Sequence, residues 1–204
     1  MITDYKDKTI VFFGDSVTDT CKIFNPNYKY GAGYVNIIKT ELDVTFNNLN
    51  IKIYNEGISG NKTEDLIARF DQDVKTKNPD LIFLLIGIND VWHLYDANIV
   101  ANVDEIIDRI NIIINMSKEI RSKIVLLTPF LFPTDSYFEG LIPDFNRLLN
   151  ALYKFYEENN IEYIDIYKIM KESQILAVTK DSVHPTLYGH GIIAQAVIDY
   201  LNKT

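Results

Sequence analysis

Residues 80–87 read DLIFLLIG, and the six apolar side chains of 81–86 follow one another without a polar interruption. A strand with one wet face alternates apolar and polar residues. This run has no polar face, so both of its sides must be covered. It is too short for a buried helix and stops at a glycine. The run therefore predicts a central strand of a parallel sheet with helices packed on both faces.

The rest of the chain repeats that pattern at intervals. Strand-like stretches fall at 8–13 (KTIVFF), 50–55 (NIKIYN), 123–129 (KIVLLTP) and 162–166 (EYIDI). Helical spacing of apolar residues marks 34–42, 63–74 with Thr63 as N-cap, 98–120, 138–160 and 186–202, and Pro143 marks a start or a break in the fourth of these. No repeat, low-complexity segment or Pro/Gly-rich linker interrupts the alternation. The expected fold is α/β: a three-layer, flavodoxin-like sandwich of five parallel strands with helices on both faces. At 204 residues, 47% hydrophobic and 24% charged, the chain has the size and composition of one globular domain spanning 1–204.

Composition also excludes. A net charge of −8 without any basic run disfavours binding to nucleic acid or to an anionic membrane. The longest apolar stretch cannot span a bilayer. The opening MITDYKDKT has no apolar signal region, so a cytoplasmic location is the default, although a chain whose signal had been removed would read the same. The single cysteine, Cys21, rules out an intrachain disulfide and a cysteine-based zinc site, and is read as a packing residue. The sequence does not reveal the oligomeric state.

Ligands of open parallel sheets bind outside the carboxyl ends of the strands. Four polar clusters fall there. Ser16 follows the first strand in IVFFGDSVTD; Gly57, Ser59 and Gly60 follow the second in NEGISGN; Asn89 and Asp90 follow the third in IGIND; Asp181 and His184 lie in KDSVHPT before the last helix. A serine hydroxyl becomes a nucleophile when a base takes its proton, and histidine is the usual base. Of the three histidines, His184 stands three residues after Asp181, which could hold the other ring nitrogen. Donors for a developing oxyanion would be the Ser16 N–H, the Gly60 N–H and the Asn89 side-chain amide. His93, at the start of the long 98–120 helical region, and His190 are read as structural. Asp15 and Asp90 are read as loop-shaping acceptors, and the aromatic residues of 145–156 as packing. The four aromatic residues of 24–34 (FNPNYKYGAGY) either stack on a sugar or pack their loop onto the body.

These four blocks together resemble the GDSL-type esterases, also called SGNH hydrolases, over nearly the whole chain. FFGDSVTD matches the first family block, NEGISGNKTEDL the second, IGIND the third and DSVHPTLYGH the last. The resemblance implies Ser16 as nucleophile and oxyanion donor, Gly60 and Asn89 as the further donors, and Asp181 and His184 as acid and base. It implies no cofactor and no metal. Val17 stands where the family name implies leucine, an apolar exchange. An Asp-dependent phosphatase would need a second aspartate where Val17 lies. A non-catalytic binding module on the same fold would not need all five catalytic positions filled. The expected reaction is removal of a short acyl group, acetyl above all, from a carbohydrate or similar polar alcohol. The family also includes lysophospholipases and thioesterases.

Overall fold

The computed structural model describes residues 1–22, 28–173 and 177–203. Five strands form one sheet: β1 (Thr9–Gly14), β2 (Lys52–Gly57), β3 (Leu81–Leu85), β4 (Lys123–Leu127) and β5 (Tyr163–Ile164). Their order is β2-β1-β3-β4-β5 and every pairing is parallel. This is the doubly wound order expected from the alternation. The chain reverses its direction of travel across the sheet between β1 and β3, so a crevice opens at the carboxyl ends of those strands.

The continuous apolar strands explain the two cores. Successive side chains point to opposite faces. Val11, Phe13, Ile82, Leu84 and Leu126 face one way and pack against α3 (Thr63–Asp73), α5 (Val103–Glu119) and α6 (Ser136–Glu158). Ile10, Phe12, Leu81, Phe83, Leu85, Val125 and Leu127 face the other way, against α2 (Tyr34–Thr45), α7 (Ile166–Glu172) and α8 (Leu187–Lys203). Among the described residues no helix is long and apolar enough to cross a membrane.

Several boundaries depart from expectation, each for a local reason. The helical region expected at 98–120 is preceded by a separate helix, α4 (Ile88–Asp96), which contains His93 rather than leaving it at the start of the long one. Asn98 takes a left-handed φ of 55°, the chain breaks there, and α5 begins only at Val103. Pro143 neither starts nor breaks α6. Asp135 caps that helix by accepting from Phe138 N at 3.0 Å, and Pro143 sits on its exposed face, where the Glu139 carbonyl it leaves without a helical donor can reach water. The buried stripe Leu141, Phe145, Leu148, Leu149, Leu152, Tyr156 runs on past it. The fifth strand is cut to two residues because Asp165 accepts from Lys168 N at 3.0 Å and starts α7, a helix the sequence reading missed.

Candidate active site

Strand β1 ends at Gly14, and the chain turns directly into a single helical turn, α1 (Ser16–Asp19). Asp15 caps that turn: its Oδ1 accepts from Val17 N at 2.9 Å. Ser16 is thus held at the first helical position on the sheet rim. The neighbouring end of β2 presses close. A Cβ at Gly57 would lie 2.2 Å from Asp19 N, so only glycine lets β2 and α1 meet. Asn55 of β2 joins them too, donating from Nδ2 to Thr18 O at 2.7 Å.

On the opposite wall, Asp181 to His184 forms a tight turn. Ser182 takes a φ of 74°, and its Oγ accepts from Thr134 N at 2.8 Å, while Phe132 N donates to Ser182 O at 2.9 Å. The Asp181 carboxylate accepts from His184 N at 2.8 Å and stands 2.9 Å (Oδ2) and 3.1 Å (Oδ1) from His184 Nδ1. Burial pushes the Asp181 carboxyl up, but the backbone and ring hydrogen bonds from His184 outweigh it and hold the group below its ordinary value. An ionised Asp181 fixes the tautomer with hydrogen on Nδ1. Nε2 is then an acceptor, and it lies 2.9 Å from Ser16 Oγ. Hydroxyl, imidazole and carboxylate form one hydrogen-bonded chain.

The other two strand-end clusters flank this chain. Gly60 has a φ of 81°, and nothing lies within 4 Å of where its Cβ would be, so its backbone is open to an approaching group. Its loop is tied down by the buried Asp19, whose Oδ2 accepts from Ser59 Oγ at 2.6 Å and Ser59 N at 3.3 Å. Asn89, buried at the start of α4, donates from Nδ2 to Asn61 O at 3.0 Å, which leaves one amide hydrogen for another acceptor. Asp90 accepts from Thr63 N and from Thr63 Oγ1, the latter at 2.5 Å, and so anchors the start of α3; burial pushes its carboxyl up. Asp15 and Asp90 are therefore loop-shaping acceptors, as their positions in the sequence suggested.

A cleft of about 380 Å³ opens beside Ser16, lined by Thr20, Cys21, Ala32, Ser59, Lys180, Asp181, His184, Pro185 and His190. One reading is overturned here and two are refined. Cys21 is exposed in the cleft wall, not packed, because Thr20 (φ 42°) and Cys21 (φ 66°) swing the chain outward after α1. His190 is structural in its stacking on Tyr34, at 6.4 Å between ring centroids, yet it also lines the cleft. Of the aromatic residues at 24–34, Phe24 lies outside the described residues. Tyr34 is fully buried and hydrogen-bonded to Thr18 Oγ1 at 2.9 Å, so it cannot stack on a ligand, and neither Tyr28 nor Tyr30 lines the cleft. Asp19 was not singled out from sequence; its place three residues after the serine, facing a loop 40 positions away, carries no local signal.

A parallel sheet with a serine, a histidine and an aspartate hydrogen-bonded in sequence at its carboxyl edge defines the class, a serine hydrolase. The chain belongs to the GDSL-like lipase/acylhydrolase family, whose model matches residues 10–197. It is 32% identical to an acetylxylan esterase from Geobacillus stearothermophilus, over 93% of this chain and 91% of that protein. A structure of a catalytic mutant of that acetylxylan esterase superposes with a TM-score of 0.83 at 28% identity, covering 95% of this chain and 94% of that one. A GDSL-like lipase from Parabacteroides merdae superposes with a TM-score of 0.85 at 30% identity, covering 98% and 97%. This chain is a carboxylic ester hydrolase.

Proposed function

We propose that Ser16 is the acyl-accepting nucleophile of this esterase, with His184 as base, Asp181 as its orienting acid, and Ser16 N–H, Gly60 N–H and Asn89 Nδ2 as oxyanion donors. The observation that carries the reading is the 2.9 Å approach of Ser16 Oγ to His184 Nε2, backed by the 2.9 Å contact of Nδ1 with Asp181. His184 takes the hydroxyl proton as Oγ attacks the ester carbonyl. The carbonyl π electrons move to oxygen, where the three donors meet the negative charge. Collapse of the tetrahedral intermediate expels the alcohol, which takes the proton back from His184. Water, deprotonated by the same imidazole, then attacks the acyl-serine and releases the carboxylic acid.

The substrate that fits best is a short acyl ester, acetyl in particular, on a carbohydrate. Thr20, Ser59, Lys180 and His190 in the cleft offer hydrogen-bonding partners for the hydroxyl groups of a sugar. The similarity to an acetylxylan esterase over most of both chains supports the same choice. A series of p-nitrophenyl esters from acetate to palmitate, with acetate release from acetylated xylo-oligosaccharides alongside, tests it. The expected kcat/KM is highest for acetate and falls with chain length. A maximum at eight carbons or longer with no acetate released from any sugar would favour a lipid esterase instead.

A further inference from the structure

Arg69, a largely buried cation, serves none of the roles just assigned. Arg69 projects from α3 with its side chain 14% exposed and does not line the cleft. Its guanidinium lies 4.5 Å from the Phe13 ring centroid. Nε donates to Asn61 Oδ1 at 2.7 Å, Nη1 donates to the Glu56 carbonyl at 3.0 Å and to Asp73 Oδ2 at 2.7 Å, and Nη2 donates to the Gly14 carbonyl at 2.9 Å.

Each of the three acceptors other than Asp73 lies next to a proposed oxyanion donor or to what holds one. Gly14 is two residues before Ser16, and its carbonyl also accepts from Ile58 N at 3.1 Å. Glu56 is the last residue but one of β2, just ahead of the loop that carries Gly60. Asn61 follows Gly60, and its carbonyl is the anchor of Asn89 Nδ2. The three donors come from three separate segments, each after a different strand. One rigid planar fork spans the supports of all three. Asp73, one turn further along α3, compensates the charge, and the Phe13 ring fixes the plane. A lysine could not do the same, because an ammonium is a point donor without the fork geometry.

We propose that Arg69 is a positioning residue that sets the spacing of the oxyanion donors of Ser16, Gly60 and Asn89. The proposal rests on the assignment of those donors above. It differs from a plain stabilising role in what it moves. Misplacing donors by a fraction of an ångström weakens transition-state stabilisation and leaves ground-state binding nearly intact.

The test uses the full-length chain and a short p-nitrophenyl ester. Arg69→Lys, verified as folded by its thermal transition, should lower kcat by about 10- to 100-fold with KM little changed. In Arg69→Ala, added guanidinium chloride at low millimolar concentration should restore part of kcat, while methylammonium at the same concentration should not. The Arg69→Lys/Asn89→Ala double variant should lose less than the product of the two single losses, because both act through one hole. Should Arg69→Ala fail to fold, Asn61→Ala removes the Nε contact alone and should reproduce a smaller kcat loss at unchanged KM. Wild-type kcat in a folded Arg69→Lys, losses that multiply in the double variant, or guanidinium that raises the melting temperature without raising kcat would each reduce Arg69 to a structural bridge. The underlying assignment fails separately and visibly, through turnover that survives Ser16→Ala or Asn89→Ala in the otherwise unaltered chain.

Discussion

Ser16 Oγ and His184 Nε2 stand 2.9 Å apart although 168 positions separate them in the chain. The contact exists because β1 delivers Ser16 to the sheet rim and the Asp181–His184 turn hangs over the same rim ahead of α8. With Nδ1 committed to Asp181, the imidazole has one free lone pair, and it points at the serine. A fluorophosphonate probe should therefore label one residue, and Ser16→Ala should abolish both labelling and ester turnover. Labelling that persists in that variant would place the nucleophile elsewhere.

The histidines should separate cleanly. His184→Ala should lose several orders of magnitude in kcat, as removal of a triad base does. His190 cannot replace it. Burial, with the nearby charge of Lys180 adding to it, lowers its pKa to about 4, and its buried Nδ1 has no hydrogen-bond partner among the described residues. It is therefore neutral near pH 7. His190→Gln should shift KM more than kcat, through the cleft wall, and His93→Ala should leave both near wild type. Comparable kcat losses in the His184 and His190 variants would contradict this.

Asn89→Ala removes one proposed oxyanion donor without touching the Ser16–His184–Asp181 chain. It should reduce kcat by roughly 10²- to 10³-fold with a much smaller change in KM. Steady-state kinetics with an acetate ester decide it; an effect confined to KM would instead mark Asn89 as a substrate-binding group.

The strands and the site were legible in the sequence for the same reason. Strand β3 is apolar on both faces because it is covered on both faces, and a parallel sheet so built must gather its strand-end residues along one edge. Ser16, Gly60, Asn89, Asp181 and His184 could therefore be placed near one another before any coordinate was known. What the sequence hid depends on contacts between distant segments. Arg69 looks like one more polar residue on an amphipathic helix until its fork is seen on Gly14, Glu56 and Asn61. Tyr34 heads the 34–42 helix and also belongs to a run read as either sugar-stacking or packing, and only the fold decides between them, because the ring closes the core against Phe12 at 5.6 Å. Pro143 reads as a helix breaker because local sequence cannot say that its face of α6 is wet.

A last prediction concerns stability rather than turnover. Asp15 is fully buried, and its Oδ2 finds no hydrogen-bond partner among the described residues. Burial raises its pKa from 3.8 to about 7, against the pull of the Val17 hydrogen bond and with the negative charge of Asp90 adding to the rise. An acid whose folded pKa lies above its unfolded one binds more protons in the folded state. Its stabilising contribution is complete below about pH 4 and is lost as pH rises through 7. A displacement of that size corresponds to about 4 kcal/mol. Asp15→Asn keeps the acceptor for Val17 N and removes the titration. Urea unfolding of the two proteins from pH 4 to 8 should show the variant gaining on the wild type steadily as pH rises, with the difference levelling off above the folded pKa. A difference that does not change with pH would mean that Asp15 ionises as readily in the folded chain as in the unfolded one.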